Sequence, residues 1–111
     1  MQTSTVVILG STGSIGTQGL DVISRHPDRF DVVGLAAGGA HVDLLARQAA
    51  QFHVSGVAVF DEHAVQPLRD ALAQAGAAHV EVTAGPEAVV NMAGSGADVV
   101  LNGITGSIGL E

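Results

Sequence analysis

The chain has 111 residues, of which 47% are hydrophobic and 14% charged, a composition typical of one globular domain. Its net charge of −7 and its lack of tyrosine and tryptophan argue against binding to nucleic acid or to an anionic membrane surface. Without cysteine, a basic signal region or an apolar run of ~18 residues, it is expected to be cytoplasmic, with neither disulfides nor a membrane span.

Strand and helix patterns alternate along the whole chain. The first strand is predicted over 5–9, apolar on both faces, and the helix that follows it ends before Pro27. The buried stripe of that first helix is predicted to consist of Ile15, Gly19, Val22 and Ile23. Later strands are predicted at 31–36, 56–60, 80–83 and 98–101. The helices between them are predicted at 41–52, from a capping Asp61 with a restart near Pro67, and from Pro86 to the glycines at 94 and 96.

Five strands with helices between them predict an α/β fold over residues 1–111. The expected architecture is a doubly wound parallel sheet of the Rossmann type, with helices on both faces. We predict the strand order 3-2-1-4-5, which would place a ligand crevice between the first and fourth strands at their carboxyl ends.

Glycine recurs at every third residue where the first predicted strand turns into a helix. Gly10 permits the tight turn, Gly13 lets a pyrophosphate approach the backbone, and Gly16 lets the helix lie close to the strand. The N–H groups of the first helical turn then supply donors for a phosphate. The alternative is a tight turn without a ligand. A nucleoside-triphosphatase loop is excluded, because the chain contains no lysine.

The end of the second predicted strand favours NADPH over NADH. An NAD-preferring domain usually carries an acid there, whereas this chain reads L-A-A-G-G-A-H over 35–41. Gly38 and Gly39 are predicted to form a backbone nest for a second anion in front of the next helix. His41 either assists them or is an ordinary surface histidine.

The remaining polar residues show no catalytic or metal-ligand spacing, and we assign none of them to such a site. Asp98 is interpreted as a cap or a solvated carboxylate rather than a base. The segment Thr105-Gly106-Ser107 is expected at the carboxyl end of a strand, on the side of Thr12-Gly13-Ser14, either as a second ligand loop or as a plain turn.

Three segments carry a resemblance to a known family: L-G-S-T-G-S-I-G over 9–16, A-A-G over 36–38 and D-V-V-L-N-G-I-T-G-S-I-G-L over 98–110. From about Val6 to Leu110, the chain resembles the N-terminus of the 1-deoxy-D-xylulose 5-phosphate reductoisomerases. The resemblance implies an NADPH-dependent, homodimeric enzyme of isoprenoid biosynthesis. Such enzymes rearrange a phosphosugar substrate with the help of Mg²⁺, Mn²⁺ or Co²⁺ and reduce the product to 2-C-methyl-D-erythritol 4-phosphate.

The resemblance also implies the cofactor-binding residues. The pyrophosphate region would be held by Thr12, Gly13, Ser14 and Ile15 after the turn at Gly10, and the adenosine 2′-phosphate by Gly38, Gly39 and Ala40. The family often has polar or basic side chains where Gly39 and Ala40 stand, so backbone donors would carry more of the recognition here. The family's metal and substrate residues lie further downstream, so no turnover is expected from these residues alone.

Three alternatives stay open at the level of the sequence. A short-chain dehydrogenase shares the glycine spacing, but the chain lacks the tyrosine and lysine of its Tyr-x-x-x-Lys motif. The NADP-binding domain of a semialdehyde dehydrogenase begins similarly and would use a downstream cysteine. A non-catalytic dinucleotide sensor would need only coupling of cofactor binding to a partner. We also expect self-association through an uncovered apolar sheet edge or face.

Overall fold

The computed structural model describes residues 3–103 and the backbone of 107–110, and strands and helices alternate in it along the chain. The strands are β1 (Ser4–Leu9), β2 (Phe30–Ala37), β3 (Gly56–Val59), β4 (Glu81–Ala84), β5 (Val99–Asn102) and β6 (Ser107–Leu110). The helices are α1 (Ser14–Ser24), α2 (Val42–Phe52), α3 (Val65–Gln74) and α4 (Pro86–Ala93), with a 3₁₀ turn at Glu62–Ala64. Within these residues, no helix is long and apolar enough to cross a bilayer.

All six strands form one sheet in the order β4-β3-β2-β1-β5-β6, in which β1 to β5 are parallel and β6 runs antiparallel to β5. The α/β doubly wound prediction is confirmed. The predicted strand order 3-2-1-4-5 is wrong, because β4 extends the sheet beyond β3 and only β5 returns to pair with β1. A right-handed crossover through α3 gives this result when α3 packs beside α2. The strand order therefore reverses between β1 and β5, and not between the first and fourth strands.

The two faces of the sheet carry different helices. On one face α1, α2 and α3 bury the larger core, whose central side chains are Ile8, Leu35, Leu45, Leu68 and Leu72. On the other face α4 packs alone among the described helices, over a smaller core that contains Val7, Leu9, Ala36, Ala58 and Val100. This division follows from the winding, since α4 is the connection that carries the chain back across the sheet.

Of the predicted stripe, helix α1 buries Ile23 but leaves Ile15 and Val22 exposed. Its buried residues are Gly16, Leu20 and Ile23, whereas Ile15 is 40% and Val22 53% exposed. The spacing of the buried residues is that of one helix face, and it is set by the close approach of Gly16 to the preceding loop. Ile15 is consequently left at the surface beside that loop.

The interrupted start predicted for the third helix is confirmed. The Asp61 carboxylate accepts a hydrogen bond from the His63 N–H at 2.9 Å and caps the 3₁₀ turn. Helix α3 then begins at Val65, with Pro67 inside its first turn. A proline is tolerated there, because the first N–H groups of a helix have no partner within the helix.

Candidate functional site

The loop between β1 and α1, residues 10–13, is held at the carboxyl edge of the sheet by backbone hydrogen bonds. The N–H groups of Gly10 and Ser11 both donate to the Ala36 carbonyl of β2, at 2.7 and 3.1 Å. The Gly13 N–H donates back to the Gly10 carbonyl at 3.1 Å. Gly10 has a φ of +76°, a conformation that favours glycine. The tight turn predicted at Gly10 is thus present.

Gly16 brings α1 close to this loop. A Cβ at Gly16 would collide with the Gly10 carbonyl and lie 2.7 Å from the Ser11 Cα. A Cβ at Gly13 would lie 3.4 Å from the Gly10 carbonyl, an ordinary contact. Packing therefore requires a glycine at 16, while the glycine at 13 leaves open space above the backbone.

The N-terminus of α1 points its first N–H groups at that open space. The first hydrogen bond of the helix runs from the Thr17 N–H to the Gly13 carbonyl at 2.9 Å, so the N–H groups of Ser14 and Ile15 precede it. The N-cap residue, Gly13, has no side chain that could accept a hydrogen bond from these N–H groups, and the first turn of α1 contains no acid. Free donors and the positive end of the helix dipole make this a suitable place for an anion.

Gly103 completes the floor of the loop, and the sequence analysis missed it. Its N–H donates to the Leu9 carbonyl at 2.7 Å, and a Cβ there would lie 3.0 Å from Leu9 O and 3.2 Å from Gly16 N. The signal in the sequence is a glycine two residues after the last predicted strand, 98–101. Thr105 and Gly106 lie outside the described residues. The backbone of Ser107 pairs with Asn102 at the carboxyl end of β5, as the first residue of a strand.

A second loop, residues 38–41, lies at the same edge. Leu9 pairs with Ala36, so the residues that follow β1 and β2 are neighbours. A Cβ at Gly38 would meet no described atom within 4 Å, and Ala40 is exposed. His41 is the N-cap of α2, without a side-chain cap bond among the described residues. The structure therefore places two helix N-termini, those of α1 and α2, side by side.

An acid lies next to this second loop, which inspection of the end of β2 alone did not reveal. Gly39 has a φ of +116°, and a Cβ there would lie 2.9 Å from the Ala64 Cβ and 3.2 Å from the Asp61 Cβ. The Asp61 carboxylate is engaged with its own turn, since it accepts the His63 N–H and lies 3.2 Å from the His63 Nδ1. Asp61 thus shapes the loop at Gly39 through packing.

The residues that would hold a metal are not found at this edge. Across the part of the chain that the structure describes, no three His, Asp or Glu side chains are grouped so that they could hold a metal ion. The site consists of backbone donors, small residues and two helix N-termini. Such a surface suits a phosphorylated ligand.

Comparison with known proteins agrees with this description. The sequence profile of the 1-deoxy-D-xylulose 5-phosphate reductoisomerase family matches residues 6–111. A reductoisomerase of this name from Bifidobacterium longum (strain NCC 2705) is 79% identical over 108 residues, which cover 97% of this chain and 27% of that protein. The chain therefore spans about a quarter of the length of such relatives.

Two solved structures have the same fold. The reductoisomerase from Zymomonas mobilis in complex with NADPH is similar with a TM-score of 0.80 and 38% identity, over 89% of this chain and 25% of that one. A DOX-P reductoisomerase in complex with NADPH, fosmidomycin and magnesium is similar with a TM-score of 0.76 and 31% identity, over 87% of this chain and 23% of that one.

Proposed function

Because the chain belongs to the 1-deoxy-D-xylulose 5-phosphate reductoisomerase family, we propose that it binds NADPH and forms the cofactor-binding domain, residues 1–111, of such an enzyme. The observation that carries the proposal is the adjacency of two helix N-termini at the carboxyl edge of β1 and β2, each preceded by a glycine-containing loop. NADPH carries two phosphate-bearing parts, a pyrophosphate and an adenosine 2′-phosphate, and each loop fits one of them.

The pyrophosphate is assigned to the first loop. Gly10 and Gly13 let the ligand approach the backbone, and the residues that follow lie at the first turn of α1 with Ile15 at the surface. Donors in this place cost little reorganisation when an anion binds, because the loop is already tied to β2 by two backbone hydrogen bonds. The proposed residues are Gly10, Thr12, Gly13, Ser14 and Ile15.

The 2′-phosphate is assigned to the second loop, formed by Gly38, Gly39 and Ala40 in front of α2. The end of β2 lacks the carboxylate that would hydrogen-bond the ribose hydroxyls of NADH and repel a phosphate. Two acids lie near this loop: Asp61, whose carboxylate accepts the His63 N–H, and Asp43 in the first turn of α2. Since glycine and alanine offer no charged side chain, the recognition rests on backbone N–H groups and the dipole of α2.

For the whole enzyme we propose the reaction of the family, in which 1-deoxy-D-xylulose 5-phosphate becomes 2-C-methyl-D-erythritol 4-phosphate with oxidation of NADPH. The metal of that reaction, Mg²⁺, Mn²⁺ or Co²⁺, does not fit the described residues, which offer no group of three ligands. We therefore derive no metal-dependent step from this chain. We further propose that the whole enzyme is a homodimer, that it is cytoplasmic and that its substrate is a phosphosugar.

Calorimetric titration of the chain with NADPH and with NADH tests the proposal. Circular dichroism first establishes that the protein is folded. We expect saturable binding of NADPH, with an affinity about tenfold or more above that for NADH, since the phosphate adds charge-assisted hydrogen bonds. Equal or tighter binding of NADH would refute the assignment of the second loop. The absence of binding by folded protein would refute the cofactor proposal itself.

A further inference from the structure

A buried hydrogen bond joins α2 to the first loop. The side-chain Nε2 of Gln48 donates to the Ser11 carbonyl at 2.9 Å. Gln48 is 6% exposed and Ser11 is fully buried, so the bond lies inside the protein beneath the loop. Ser11 is not one of the residues assigned to the cofactor, and Gln48 lies 37 residues away on a helix that belongs to the second loop.

This bond fixes the direction of one peptide group. A trans peptide is planar, and its carbonyl and N–H point in opposite directions. No cis peptide occurs among the described residues. Because the Ser11 carbonyl points into the protein towards α2, the N–H of the same peptide, which belongs to Thr12, points the other way. Thr12 is only half-buried and directly precedes Gly13, so its N–H faces the side on which a ligand would lie.

The net contribution of the buried Gln48 side chain to the stability of the fold is small. Among the described atoms, its Oε1 is buried without a hydrogen-bond partner, and so is the Oγ of Ser11. Burying an unpaired oxygen offsets the gain from the bond that Nε2 makes. Stability alone therefore does not account for a glutamine in this position, where an apolar side chain would bury no polar atom of its own.

We propose that Gln48 is a positioning residue that holds the Ser11–Thr12 peptide so that the Thr12 N–H donates to the pyrophosphate of NADPH. The proposal rests on the proposed function of the first loop. Without the Nε2 donor, this peptide is free to rotate and to turn its carbonyl oxygen towards the phosphates. The partial negative charge of that oxygen would then repel the negatively charged phosphates. Gln48 thus connects α2, which begins at the second loop, to the donor geometry of the first.

The test compares Gln48→Met with Gln51→Met, a matched change at an exposed position of the same helix. Methionine keeps the length of the side chain but removes the donor. Two ligands are titrated: NADPH, and adenosine 2′-monophosphate, which has no pyrophosphate. We expect Gln48→Met to lower the affinity for NADPH about tenfold, the value of one good hydrogen bond. The affinity for adenosine 2′-monophosphate should change by less than about twofold. Gln51→Met should change neither affinity.

The outcomes separate the two proposals. If Gln48→Met weakens both ligands equally, the residue only maintains the structure and the inference fails; it fails also if NADPH binding is unchanged. If the unaltered chain binds neither ligand, the proposed function fails first. The ¹⁵N amide signal of Thr12 in the unliganded protein gives a geometric check. It should move in Gln48→Met and stay in place in Gln51→Met, and an unmoved signal in the former would contradict the peptide reorientation.

Discussion

Thr5 and Asp98 exchange three hydrogen bonds across the amino ends of β1 and β5. The Asp98 Oδ2 accepts from the Thr5 N–H at 2.9 Å and from its hydroxyl at 3.3 Å, and the Asp98 N–H donates to the Thr5 Oγ1 at 3.0 Å. The sequence alone suggested a cap or a solvated carboxylate at Asp98. Its actual role is to fix the last parallel strand of the sheet to the first.

We expect Asp98→Ala to lower the free energy of unfolding by about 1 kcal/mol, the value of hydrogen bonds near a surface. Urea denaturation measures it. Asp31→Ala is the matched control, since Asp31 is an exposed residue of β2 whose side chain makes no hydrogen bond among the described residues, and it should cost less than about 0.5 kcal/mol. The double variant Thr5→Val/Asp98→Ala should lose less free energy of unfolding than the sum of the losses in the two single variants. Strict additivity would show that the two residues do not interact.

Gly16→Ala and Gly13→Ala should separate stability from ligand binding. The new Cβ at 16 would meet the Gly10 carbonyl and the Ser11 Cα, and we expect a loss of about 1–3 kcal/mol in thermal or urea unfolding. The Cβ at 13 meets only an ordinary contact, so stability should hold while NADPH binds about tenfold more weakly. A fully stable Gly16→Ala protein would contradict the close packing of α1 on the loop.

Replacement by alanine should change the stability of the fold differently at the two neighbouring glycines of the second loop, Gly38 and Gly39. Gly39 has a φ of +116° and its Cβ would lie 2.9 Å from the Ala64 Cβ, so Gly39→Ala should cost about 1–2 kcal/mol or more. Gly38→Ala, the control, has open space around its Cβ among the described atoms and should leave stability unchanged. Calorimetric melting of both proteins measures the difference. Equal melting temperatures would argue against the backbone geometry at Gly39.

Ala40→Arg should increase the preference for NADPH. Ala40 is exposed in the second loop, and a guanidinium there can form charge-assisted bonds to the 2′-phosphate. We expect NADPH to bind about five- to tenfold more tightly, with NADH unchanged and with the gain reduced at high salt. Ala73→Arg, at an exposed position of α3, controls for net charge. An equal gain from both variants would place the 2′-phosphate away from this loop.

Local patterns predicted the elements and the first loop well. Apolar runs, Pro27, Pro86 and the glycines at 10, 13 and 16 each act over a few residues, and the structure has strands, helices and a tight turn where they predicted them. The predicted strand order was wrong, because the apolar pattern of a strand does not specify which other strand it pairs with. It was decided by the packing of α3 against α2.

The parts of the site that the sequence did not reveal are contacts between distant residues. Gly103 packs on Gly10 and Gly16 only because β5 lies beside β1, and Gln48 reaches Ser11 only because α2 crosses under the loop. Neither residue has a distinctive local spacing. The exposure of Ile15 likewise depends on how far Gly16 lets α1 turn towards the strand, which the helical period alone does not fix.

The path of the chain through the sheet also sets the order in which the molecule can be built. Strands β1 to β4 follow one another both along the chain and, from β1 outwards, across the sheet, so they can assemble as the chain leaves the ribosome. Asp98, the partner of Thr5 directly before β5, is 93 residues away, and Gly103 arrives later still. Contacts of such separation form slowly. Among the described elements, the proposed cofactor site is therefore complete only after β5 has paired with β1, and a cofactor bound there would stabilise the domain with β5 in place.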